Sequence, residues 1–120
     1  MSKPSDAEER AVEAAEAWLA LVDAGDAAAA WAEASSTFRA AVSPDAWADS
    51  LTRAYAPIGS PLERSFSSSE YHAELPGAPD GHYVIVTYDT RFEHRRRGTE
   101  TVVPQMDTDG CWRVSGYWVK

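Results

Sequence analysis

The chain is poor in cysteine, in positive charge and in long apolar runs, and each shortage removes a class of function. Its lone Cys111 excludes an intramolecular disulfide and a cysteine metal cage, so cysteine usage does not demand an oxidising compartment. Eleven Lys and Arg stand against 19 Asp and Glu, for a net charge of -8 and a pI near 4.7. That balance excludes the basic footprint that DNA, RNA or an anionic membrane surface would need. The deficit is uneven: residues 1–60 hold ten acidic side chains against four basic ones, and residues 61–120 hold nine against seven. No apolar stretch is long enough to span a bilayer or to act as the core of a secretory signal. As written, the chain reads as cytoplasmic, or as periplasmic or secreted if a signal peptide was removed. Histidines 72, 82 and 94 lack the close helical or strand pairing that brings two imidazoles to one ion, so neither a metal nor another cofactor is expected.

What remains is an ordinary globular composition, 44% apolar and 25% charged, in a length that predicts a single domain over 1–120. The hydrophobic period changes near Pro57. Before it lies a helical half, 6–56; after it a sheet half, 63–119; residues 1–5 are expected to be disordered. Ser5 and Glu8 form a capping-box pattern ahead of a helix over 6–23, with Ala11, Ala15, Trp18, Leu19 and Val22 on one face and Gly25 as its stop. Asp26 caps a short helix over 27–34 that carries Trp31, and Ser43-Pro44 starts a third over 44–55 with Trp47 and Leu51 inward. Beyond Pro57, Gly59 and Pro61, two-residue alternation predicts four strands: a serine-rich edge in 63–75, then 83–92, 99–106 and a last one after the Asp107–Gly110 turn. The second strand points Val84, Val86, Tyr88 and Phe92 inward, and the fourth Trp112, Val114, Gly116 and Trp118. Arg95-Arg96-Arg97-Gly98 is read as a solvated hairpin tip. The pattern implies an α+β domain with N-terminal helices packed on a curved four-stranded antiparallel meander.

Five segments carry a family likeness: Trp18–Gly25, Val42–Trp47, Leu75–Tyr83, Glu100–Val102 and Asp109–Tyr117. In this order the chain resembles the bacterial family called domain of unknown function 4019, over about Glu8 to Val119. The resemblance implies the cone of the cystatin-like and nuclear-transport-factor-2-like folds, with helices in the concavity of the sheet. The family has no established activity, so the resemblance assigns no catalytic residue.

Two surfaces stand out as candidate sites. If the concave face encloses a cavity, His82, Tyr88, Thr90 and Glu100 would project into it between Trp18, Trp47 and Tyr55, and a carboxylate there would suit proton transfer. The outward sheet face would carry Tyr83, Ile85, Thr87, Val103, Tyr117 and Val119, an uncovered patch fit for a two-fold contact between copies. The first expectation is therefore a binding or protein-interaction domain without catalytic activity, holding an apolar or protein ligand. The alternative is a small-molecule lyase or isomerase. The tryptophans at core phases predict that Trp31→Ala or Trp112→Ala costs about 3–5 kcal/mol.

Overall fold

The computed structural model describes residues 4–120. Helix α1 spans Pro4–Asp23, α2 Ala27–Ala32, α3 Ser36–Ala41 and α4 Pro44–Tyr55; strands follow as β1 Pro61–His72, β2 Tyr83–Phe92, β3 Arg95–Met106 and β4 Trp112–Val119. The strands form one antiparallel sheet in the order β1-β2-β3-β4, so the fold is α+β with a meander. The capping box expected at Ser5 rests on a side chain outside the described residues. Residues 4 and 5, expected to be disordered, already belong to α1.

The helix boundaries follow from caps. Gly25 adopts φ +77°, and the backbone N–H groups of Gly25 and Asp26 donate to the carbonyls of Val22 and Leu21, the paired bonds of a left-handed helix stop. The side chains of Asp26 and Ser43 accept from the N–H groups of Ala29 and Ala46 and open α2 and α4. The short helix α3 was not expected; it is opened by Ser35, a fully buried residue whose Oγ accepts from the Phe38 N–H. Its first turn is also tied from far along the chain, because Ser36 donates from N and Oγ to the carboxylate of Asp107, 71 residues away. Those bonds, the Ser36 hydroxyl first, hold the Asp107 carboxyl below its usual range.

The helices lie on one face of the sheet. Ala11, Ala15, Trp18, Leu19 and Val22 of α1 meet Val84, Val86, Tyr88, Val102 and Val114 in one buried cluster, joined by Phe38 and Trp47. Trp18 sits 5.5 Å from Trp47 and 5.4 Å from Tyr117, ring centre to ring centre, and its indole N–H donates to the Ala30 carbonyl. Trp31 and Trp112 are only partly buried, so the full tryptophan penalty belongs to Trp18 and Trp47 instead.

Irregularities in the ladders decide which side chains face inward. The β2–β3 turn is Glu93-His94, with Phe92 opposite Arg95, so Arg95–Arg97 lie within β3 and not at a hairpin tip. Phe92 folds its ring over Gly98, where any Cβ would stand 2.5 Å from the ring; only glycine fits. On β4 the register slips between Val103 and Pro104, which pair with Gly116 and Val114 and leave Ser115 as an extra residue. Pro104 thus sits at a bulge in a central strand, where its missing N–H costs least. The bulge shifts the phase of β4. Tyr117 and Val119, opposite Val102 and Glu100, lie on the helix side, while Trp118, expected inside, is 47% exposed. The first half of β4 keeps its expected phase, with Val114 buried.

Candidate functional site: a saturated carboxylate and two surface faces

Glu100 follows Gly98 and precedes Val102 on the inward face of β3, and it is completely buried. A buried carboxylate requires partners for its acceptor positions, and here four hydrogen bonds supply them. Oε1 accepts from Arg64 Nε at 2.6 Å and Thr90 Oγ1 at 2.5 Å; Oε2 accepts from Arg64 Nη2 at 3.0 Å and the Tyr117 hydroxyl at 2.5 Å. Arg64 reaches in from the edge strand β1, opposite Thr90, and turns its remaining donors to Asp23 at the end of α1, at 2.8 and 3.1 Å. Since the Tyr117 proton is given to Glu100, its oxygen accepts from Tyr55 of α4 at 2.6 Å. One network therefore ties α1, α4 and all four strands.

Electrostatics follow the same geometry. Burial opposes the charge on Arg64, but the bonds to Asp23 and Glu100 outweigh it and raise its pKa. Burial first, and the charge of Glu100 second, raise the Tyr117 hydroxyl far above its ordinary value. Tyr55 is pushed up to about 12, chiefly by burial, and Tyr88, whose hydroxyl faces Glu16, is raised by burial and that charge. These tyrosines stay protonated in the folded chain at a pH where an unfolded chain ionises them, near 10. Their contribution to stability is complete below that value and is lost as pH rises through their folded values. Base titration should accordingly show phenolate absorbance from Tyr55, Tyr88 and Tyr117 rising only together with loss of near-ultraviolet circular dichroism. A rise of the whole tyrosine signal near pH 10 with the fold intact would contradict this.

The sequence-derived pocket is divided by the structure. Trp18, Trp47, Tyr55, Tyr88 and Glu100 do converge on the helix side, but their rings pack around the carboxylate, and the cleft of about 550 Å³ that remains between α1, α2 and β4 is lined instead by Trp18, Leu21, Trp112 and Val114. Trp47 packs edge-on against Phe38 as well as against Trp18. His82 is far from them, exposed at the start of β2, with Nδ1 2.5 Å from the Tyr71 hydroxyl. His72 pairs with Glu70 at 2.9 Å and His94 lies in the β2–β3 turn. Among the described residues, no group of three or more His, Cys, Asp and Glu side chains is placed to hold a metal ion. The sequence reading named Thr90 but missed Arg64 and Asp23. A carboxylate at an inward strand position was the available signal, because it requires a cation from elsewhere in the fold.

The outward patch is also redistributed. Ile85, Thr87 and Val103 do face away from the helices, but Tyr83 is buried beneath the β1–β2 connection, its hydroxyl donating to the Pro79 carbonyl at 2.6 Å. Tyr117 and Val119 leave this face through the β4 bulge, and Trp118 takes their place, its ring lying across Gly116 toward Val103. A second surface lies beside α1, where a cleft of about 500 Å³ opens between the helix and Phe66 of β1.

An α+β chain with helices on one face of a four-stranded meander, and a buried ion-pair network between them, is the class that the fold and site define. The family model described as "Protein of unknown function (DUF4019)" matches residues 14–117, and the chain belongs to that family. No curated protein and no solved structure matches it. Among the described residues, no helix is long and apolar enough to cross a membrane.

Proposed function

We propose that this chain is a single-domain, non-catalytic protein-interaction module. The observation that carries the reading is the saturation of Glu100. The one fully buried carboxylate among the described residues has its acceptor positions occupied by Arg64, Thr90 and Tyr117, so it has none to offer a substrate proton. The aromatic filling around it speaks against a small ligand at Glu100 itself; the cleft of about 550 Å³ between α1, α2 and β4 carries none of the network's hydrogen-bonding groups, and His82, the other acid–base candidate, is too far from this network to act with it. The lyase or isomerase alternative loses its two candidate groups. Recognition then falls to the outer surfaces.

One such surface is the sheet face away from the helices, where Trp118, opposite Thr101, is 47% exposed and Ile85 and Thr87 are half-buried. An exposed tryptophan on a face that no helix covers suits a two-fold contact between copies. Sedimentation of the wild type should show a concentration-dependent dimer that Trp118→Glu disperses without loss of fold. Native mass spectrometry of protein from its own organism should show a second copy or a protein partner and no retained small molecule. A monomer at high concentration for both forms would remove the dimer. A stoichiometric small molecule retained by the folded chain would remove the interaction reading itself.

A further inference from the structure

The cleft beside α1 supports a more specific statement, which rests on the interaction reading. Its apolar floor is Val12 and Phe66, and Phe66, on the edge strand β1, is 51% exposed although its ring packs edge-on against Tyr88. Its rim is acidic: Glu8, Glu9, Glu13 and Glu16 all line it. The cleft continues past Glu16 and Phe66 into a second recess of about 290 Å³, which ends at Asp23 and Arg64. The groove thus follows α1 from Glu9 to Asp23, about 21 Å at the helical rise.

Two features of the rim need a reason. Glu9 and Glu13 are four residues apart, and Glu13 and Glu16 three, so like charges repel along one stripe and weaken the helix that carries them. Among the described residues, no Lys or Arg lies within ion-pair distance of Glu9, Glu13 or Glu16. A stripe of uncompensated carboxylates beside an exposed phenylalanine presents charge and apolar surface together. A free polyamine would use only the charge, and an anionic lipid surface would be repelled. A cationic amphipathic helix uses both: its apolar side covers Phe66 and Val12, and its Lys or Arg at three- and four-residue spacing match the glutamates turn for turn.

We propose that the α1–β1 groove docks a basic amphipathic helix of a partner protein. The test uses the full chain and a fluorescein-labelled synthetic helix of Leu, Ala and Lys of about 18 residues, five turns, followed by anisotropy. The wild type should bind it, and the same peptide with Glu in place of Lys should not bind. Phe66→Ala should weaken binding at least about tenfold, as should the double reversal E9K/E13K, roughly the loss of an anchor residue or of a matched charge set. The control D45K/D49K makes the same charge change at the same spacing on α4, which lines no part of the groove, and should shift affinity less than about twofold, because exposed charges not in contact are largely screened. Circular dichroism checks that each variant is folded. No binding by the wild type, equal weakening by both reversals, or no effect of Phe66→Ala would overturn the groove. A protein partner retained in native mass spectrometry but released by Trp118→Glu and not by Phe66→Ala would overturn the groove while leaving the interaction reading standing.

Discussion

Glu100→Ala should destabilise the chain by about 3–5 kcal/mol, the range for removing one partner of a buried ion pair. The substitution strands three donors at once: the Arg64 guanidinium, held then only by Asp23, and the hydroxyls of Thr90 and Tyr117. Against a total stability on the order of 5–15 kcal/mol, that loss brings a domain of this size close to unfolding. Glu100→Gln is expected to cost less, yet still about 1–3 kcal/mol. An amide offers one acceptor oxygen where the network supplies donors on both sides, so one NH₂ must face a donor. Urea titration followed by tryptophan fluorescence checks both. The double change Arg64→Met with Glu100→Leu should recover part of the loss, because replacing both charges removes the burial cost along with the attraction. A Glu100→Ala protein as stable as wild type would mean that water reaches this site and that the network holds nothing together.

Trp18→Ala is the second large effect, at about 3–5 kcal/mol from the lost transfer energy and the cavity left behind. Trp18 is 3% exposed, touches the rings of Trp47 and Tyr117, and gives its N–H to Ala30. It therefore joins α1, α2, α4 and β4 in one contact set, and the hole cannot close without moving one of them. Trp31 and Trp112, partly exposed, should each lose clearly less under the same denaturation measurement. If either cost as much as Trp18, the burial pattern described above would be wrong.

These two residues also mark how far the sequence could be read. Trp18 was legible, because an inward position on a long capped helix repeats every three or four residues and Gly25 fixes where the pattern stops. The same holds for Val84, Val86 and Tyr88 on β2, where alternation is unbroken. What escaped the reading depends on single-residue slips. The bulge at Ser115 has its composition signal only in the facing strand, at Pro104, and it moved Tyr117 and Val119 to the inner side and Trp118 to the outer. The short α3 was hidden because its opening turn is held by Asp107, a partner 71 residues away that no local pattern announces. Arg64 was lost in a serine-rich stretch read only as an edge strand. Phase alone puts Trp18, Trp47, Tyr55, Tyr88 and Glu100 on one side of the sheet, but not the partners of the carboxylate. A carboxylate in an apolar setting reads as an unpaired acid until its arginine is located, and the arginine comes from a strand two places away in the sheet.

The unpaired Ser115 assigns two neighbouring rings to different tasks. Because Ser115 is absorbed in the bulge, the phenol of Tyr117 turns toward Glu100, where it completes an internal bond set, and the indole of Trp118 toward water. Two adjacent positions of one edge strand thus face opposite ways because two residues stand opposite one, and not because of their own chemistry. The same residues paired without the bulge would set Trp118 opposite Glu100 and turn the phenol outward, leaving the acid without one of its donors.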